Sequence, residues 1–256
     1  MLIDAGIGPR TTAQRMHGTG VVPADIAAIC LTHLDRDHFS LAWVNQLVRR
    51  KIPVFCHRSR VADLRHIVGA PAFGDLLRPF GEAPFHPLPG VEFHGLDLAH
   101  DADGSHGFVI QGYGCRAGFA TDLGYVPRHL IERFAGVHLL ALESNYDPQM
   151  QQSSSRPGFL KARIMGGRGH LSNQQAFAAV RAILDQSRQL PQHIVLLHRS
   201  RECNCPNLVR GLFERDARIA RRLTLAEQDI RTHWLGTTRS DMGEQLSLAQ
   251  LFTAWA

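Results

Sequence analysis

The stretch LTHLDRDHF, Leu31 to Phe39, sets two histidines and two aspartates (His33, Asp35, Asp37, His38) into six positions directly behind the apolar run DIAAIC. Two readings follow from the residues alone. A polar loop joining a buried strand to the helical stretch FSLAWVNQLVRR accounts for the composition, with His38 beside Asp37 in the first turn of that helix. A metal site accounts for it as well, because a strand end that turns into a loop can wrap alternate residues around one point. A mixed set of imidazoles and carboxylates suits zinc, manganese or iron.

Working outward, short apolar runs alternate with longer amphipathic ones, the pattern of an α/β protein. Several of the runs end on a polar residue: VEFHGLDLAH at His100, CRAGFATD at Asp122, HLLALES at Glu143, HIVLLH at His198. Strand ends in α/β sheets converge on shared sites, so these residues are candidates for one rim with His33. The helical stretches are SRVADLRHIV, NLVRGLFERDARIARRL and SNQQAFAAVRAILDQSRQL; the last has Ser172 and Gln175 spaced as a capping box. QQSSSRPG (151–158) reads as a surface loop. No composition shift divides the chain, which predicts one domain over residues 1–256.

With 256 residues, 44% of them hydrophobic, the chain can bury a full core. No run approaches the roughly 18 apolar residues of a membrane span, and MLIDAGIGPR lacks the features of a signal peptide, so a soluble, cytoplasmic protein without a membrane partner is expected. Five scattered cysteines argue against a disulfide framework. Cys203 and Cys205 are not spaced as a zinc finger, and no second pair answers them. The net charge of +5 permits an anionic substrate.

HLDRDH resembles the His-x-His-x-Asp-His signature of the metallo-β-lactamase superfamily. The likeness continues in order through LIDAG (2–6), AHDADG, FATDLG and LLHRS. ALESNYD and RGHLSN resemble the WalJ (YycJ)-like exonuclease subgroup and, more distantly, ribonuclease Z. The resemblance implies a four-layer αββα sandwich and two divalent metal ions, zinc or manganese with iron as a further candidate. His33, Asp35 and His100 would hold one ion, Asp37, His38 and His198 the other, and Asp122 would bridge them. It further implies a metal-dependent hydrolase that uses the hydroxide between the ions, acting on a phosphodiester and most naturally on nucleic acid. Asp37 would orient the water, His170 would assist at the phosphate, and Arg168 beside it would bind the anion. Asp4 would hold a ligand histidine, while Glu143 and Asn145 are either partners of the site or ordinary strand-end polar residues. A thioesterase or lactamase-type hydrolase, or a metal-binding relative without catalysis, uses the same frame. His106 is the rival to His100.

Two departures from the pattern carry expectations. Asp35 stands where the signature has a histidine, which adds a carboxylate and predicts that manganese or iron competes better against zinc. The chain starts at LIDAG without the first N-terminal strands of its relatives, which predicts an exposed sheet edge and a possible homo-oligomer through it.

Overall fold

A computed structural model describes residues 1–237 and 253–254. They form two compact units, one holding Met1–Gly95 with Thr253–Ala254, the other beginning at Leu96.

The first unit is a parallel sheet of short strands, β1 (Leu2–Ile3), β2 (Ile29–Cys30), β3 (Val54–His57) and β4 (Leu77–Phe80), paired in that order. Thr253–Ala254 lies parallel to Leu2–Ile3 on the other side of β1. The open edge expected at β1 is therefore closed by the chain itself, and the ground for an oligomer through it falls away. Helices α1 (Pro9–Met16), α2 (Val44–Arg50), α3 (Val61–Val68) and α4 (Pro71–Gly74) supply the cover. Trp43, Leu47, Leu64 and Phe73 pack with Leu2, Ile29, Leu31 and Val54 in one fully buried cluster. Strand β5 (Phe85–Leu88) pairs antiparallel with the start of β6 (Val91–Leu98), Phe85 opposite Phe93.

His38 does not start a helix. Its amide and that of Phe39 both donate to the Asp35 carbonyl at 2.9 Å, closing a turn, and the helical stretch begins only at Leu41. The reason is a bridge between Ala5 and Phe39: Ala5 donates to the His38 carbonyl at 2.7 Å and Ser40 to the Ala5 carbonyl at 2.9 Å. Tertiary pairing thus takes the backbone groups a helix would use. Gly6 permits the approach, since a Cβ there would lie 1.5 Å from the Asp37 carbonyl oxygen.

The second unit centres on β7 (Ser105–Gly112), β8 (Cys115–Ala120), β9 (Leu139–Glu143), β10 (His193–Leu197) and β11 (Leu223–Leu225), in the spatial order β11-β10-β9-β8-β7, with the end of β6 beside β7. Strands β8 to β11 are mutually parallel, and β7 runs against β8. Because β8, β9 and β10 point the same way, Asp122, Glu143 and His198 emerge at one end of the sheet. Its core joins Val109, Leu140, Leu142, Ile194 and Leu196 to Leu130 and Phe134 of α5 (Arg128–Phe134), and it includes Val180 and Ile183 of α8 (Asn173–Gln186). Burying each such side chain contributes roughly 1.5–3 kcal/mol before chain entropy is counted.

Ser172 and Gln175 form the expected capping box at the start of α8. The stretch from 151 to 158 is only partly a loop. Gln151–Ser153 complete α6 (Pro148–Ser153), which Asp147 caps by accepting from the amides of Gln149 and Met150, and α7 (Gly158–Met165) follows. The last helical stretch is divided: α9 (Pro206–Phe213), then α10 (Ala217–Ala220) capped by Asp216, then β11. Among the described residues no helix is long and apolar enough to cross a membrane.

Candidate functional site

In the first unit, Asp4 organises the motif. At the end of β1 it turns left-handed with φ 59°, and it is 3% exposed. Its Oδ1 accepts from the Thr32 amide at 2.8 Å, and its Oδ2 accepts from the Thr32 hydroxyl at 2.8 Å and from His38 Nδ1 at 2.7 Å. A carboxylate can only accept, so the His38 proton sits on Nδ1 and Nε2 keeps its lone pair. The Thr32 hydroxyl, its proton given to Asp4, accepts in turn from His33 Nδ1 at 2.9 Å. His33 Nε2 is then also the lone-pair nitrogen. The two rings are 4.0 Å apart between centroids. His33 Nε2 lies 3.8 Å from Asp35 Oδ2, and His38 Nε2 lies 3.7 Å from Asp37 Oδ2. Both aspartate side chains are exposed, at 56% and 70%, while the histidines are buried. This is a donor set with imidazole nitrogens held from behind and two exposed carboxylates beside them.

In the second unit, Asp122 is the hub. Its φ of 55° is again left-handed, and the turn is clamped: its carbonyl accepts from Ser105 Oγ at 2.5 Å and its amide donates to Glu143 Oε2 at 2.6 Å. Thr121 Oγ1 donates to Asp122 Oδ2 at 2.9 Å. The other oxygen, Oδ1, faces three rings: His198 Nδ1 at 3.4 Å, His170 Nδ1 at 3.5 Å and His100 Nε2 at 3.8 Å. His100 Nδ1 donates to the Gly169 carbonyl at 3.0 Å, which makes Nε2 its lone-pair nitrogen by the same logic as His38. His106 instead faces Asp97 at 3.3 Å, so His100 is the histidine brought to Asp122.

Glu143 and Asn145 are part of this cluster. Glu143 is fully buried; it accepts from the amides of Asp122 and Leu171 and meets His170 and His198 at 3.3 Å each. Burial, the largest influence, pushes its carboxyl pKa up, but His170 and His198 outweigh it and the net direction is down. Conversely, burial pushes His170 down while the carboxylates of Glu143 and Asp122 more than reverse it, so His170 holds its proton more firmly than an ordinary histidine. Asn145 donates through Nδ2 to the His198 carbonyl at 2.8 Å, fixing another left-handed residue, φ 54°. Arg168 is exposed, and its Nη1 reaches only the Asp101 carbonyl, at 3.4 Å.

Residues the motif reading missed do the positioning. Thr32 relays Asp4 to His33. Asn204 donates to the carbonyls of Ser144 and Asn145 at 3.1 and 2.8 Å and exchanges amide bonds with buried Asn173. It lies between Cys203 and Cys205, so RECNCP is a scaffold for the Asn145 loop; neither cysteine joins a potential metal cluster among the described residues. Only the asparagine beside a β9 end hinted at this, since a buried amide needs amide partners.

A family model described as Beta-lactamase superfamily domain matches residues 1–194. The chain belongs to the metallo-β-lactamase superfamily. As a superfamily member it carries a metallo-hydrolase fold, and that fold implies divalent metal ions. Exodeoxyribonuclease YycJ of Bacillus anthracis is 24% identical over 212 residues, covering 82% of this chain and 78% of that protein. Exodeoxyribonuclease WalJ of Streptococcus pneumoniae is 24% identical over 217 residues, 81% of this chain and 76% of that one. The solved metallo-β-lactamase fold protein YhfI of Bacillus subtilis shares the fold, with a TM-score of 0.62 at 16% identity, covering 88% of this chain and 84% of that one. The donor chemistry fits the ions the superfamily implies: three imidazoles have their Nδ1 protons committed elsewhere, and aspartates supply hard oxygen.

Proposed function

We propose that this metallo-hydrolase is a phosphodiesterase of nucleic acid, with DNA as its substrate. His33, Asp35 and His100 serve one divalent ion, Asp37, His38 and His198 a second, and Asp122 is shared, within one catalytic domain formed by the whole chain. The observation that carries the reading is the fixed tautomer of His33, His38 and His100, each with its Nε2 lone pair outward. The names of the YycJ and WalJ relatives support a DNA phosphodiester as the substrate class.

Divalent ions held by these ligands would supply Lewis acidity toward the phosphate and lower the pKa of water, whether the metal is zinc, manganese or iron. The chain's own residues do the rest. Asp37, exposed beside His38, accepts a hydrogen bond from the attacking water and aims it at phosphorus. His170, whose proton the carboxylates of Glu143 and Asp122 favour, donates a hydrogen bond to a phosphate oxygen as charge gathers there. Arg168 offers a cation to the same anion. Asp4, Thr32 and Gly169 hold the imidazoles in one orientation throughout.

The test is turnover of a short deoxyoligonucleotide and of bis(p-nitrophenyl) phosphate by protein loaded with manganese or zinc. Asp37→Ala and His170→Ala should each lower kcat at least about 100-fold. Equal activity in wild type and Asp37→Ala refutes the assignment of roles, and failure of the loaded wild type on both substrates refutes the substrate class.

A further inference from the structure

A cavity of about 330 Å³ opens where the chain leaves His198, lined among others by Arg199, Ser200, Arg201, Asn204, Glu227 and Asp229. That volume is at the lower end of small-ligand sites, which run roughly 300–1,000 Å³. Its two arginines differ. Arg201 is neutralised, with Nη2 on Asp229 Oδ2 at 2.7 Å. Arg199 has no ion-pair partner among the described residues, and its Nη1 is shut away from solvent without a hydrogen-bond acceptor. The rest of this half-buried guanidinium is a positive charge that an anion in the cavity can meet.

The backbone around Arg199 is fixed. Its carbonyl accepts from Gln228 Nε2 at 3.1 Å, and the next residue, Ser200, donates its amide to the Asn145 carbonyl at 2.8 Å. Ser200 Oγ accepts from the Cys203 amide at 3.1 Å, which leaves its hydroxyl proton to give. Beside them α9 opens on Pro206 with no side-chain cap from Cys205, so the positive end of that helix adds to the local potential. Glu227 is the one anion of the wall outside an ion pair among the described residues, and it lies beyond ion-pair distance of Arg199.

We propose that Arg199 and Ser200 form an anion subsite that takes a phosphate group of the nucleotide substrate other than the one being cleaved. The planar fork of an arginine matches a phosphate in two hydrogen bonds, and one hydroxyl donor beside it completes a small oxyanion cradle. Arg199 directly follows His198, so a phosphate held here is tied by one peptide unit to a proposed metal ligand. The proposal rests on the nucleic-acid reading above for the identity of the ligand.

Titration calorimetry on the full chain treated with chelator separates the two. Thymidine 5′-monophosphate should bind wild type, at least 10-fold more weakly to Arg199→Ala and a few-fold more tightly to Glu227→Gln, while thymidine itself should show no dependence on Arg199. Arg199→Lys, which keeps the charge but not the fork, should fall between wild type and Arg199→Ala, and it serves if the alanine variant does not fold. Absent binding to wild type, or equal affinity across these variants, overturns the subsite. Phosphate binding that depends on Arg199 without oligonucleotide cleavage by the metal-loaded protein sinks the functional reading alone. Cleavage with no effect of Arg199 on binding sinks only the subsite.

Discussion

Replacing Asp4 by asparagine removes no atom of bulk and isolates one question, whether the carboxylate is there to set the tautomer of His38. Asp4 accepts three hydrogen bonds, from the Thr32 amide, the Thr32 hydroxyl and His38 Nδ1. An amide cannot accept at both ends. If its NH2 faces His38, the ring must shift its proton to Nε2 to avoid two opposed donors, and Nε2 can then no longer bind a cation. If it is flipped, the NH2 meets the Thr32 amide instead, and a buried donor without an acceptor costs about 1–3 kcal/mol. Loss of such a partner behind a ligand histidine typically weakens metal affinity about 10- to 100-fold, or about 1.4–2.8 kcal/mol. Competition of each protein with a chromophoric chelator for zinc and manganese gives the affinity, and nitrogen NMR of the histidine rings in the metal-free protein gives the tautomer. Wild-type affinity in Asp4→Asn, or a His38 ring already protonated at Nε2 in wild type, would refute the reasoning.

Three further outcomes are expected. Gly169→Ala puts a Cβ 2.1 Å from the Ile164 carbonyl oxygen and moves the acceptor of His100, so thermal unfolding should show a loss of at least about 2 kcal/mol; an unchanged midpoint contradicts the close approach. Asp35→His removes one of three carboxylates and should raise the ratio of zinc to manganese in protein refolded from an equal mixture, as read by mass spectrometry of the metals; an unaltered ratio dismisses the role given to Asp35. Burial pushes the Cys56 thiol up to about 12 and Cys30 well above its ordinary value, so at pH 8 both are almost wholly thiol. A thiol reagent should label half-exposed Cys205 first and reach Cys30 and Cys56 only on unfolding; rapid modification of Cys56 in the native protein would show that strand β3 opens.

His100, Asp122 and His198 were legible as candidates because they lie one or two residues beyond a strand, where apolar runs stop on a histidine or aspartate. Periodicity exposes those ends, while Asp35, Asp37 and His38 rested on the resemblance of HLDRDH to the superfamily signature. The capping box at Ser172 was legible for a similar reason, being local in sequence. What sequence could not carry was contact at a distance. The Ala5–Phe39 bridge draws His38 out of a helix that propensity favours, and Thr32 becomes a relay only because β1 places Asp4 beside β2. Asn204 looks like a spacer between cysteines until Asn173 and the β9 loop arrive from 31 and 59 positions away. The cap of α6 was the exception, since Asp147 before Pro148 is a local signal that the polar composition of the following stretch obscured.

Asp4, Asp122 and His198 share a backbone state that L-residues avoid at a cost of roughly 1–2 kcal/mol each, and glycine would adopt it without strain. At all three the chain keeps a side chain with a proposed chemical task. Selection for heat resistance and selection for turnover therefore pull against each other at three identified codons. A library screened only for survival of the fold should drift toward glycine there as it does at Lys51 and Tyr113, which share the state, and only at the proposed site should that drift also cost activity.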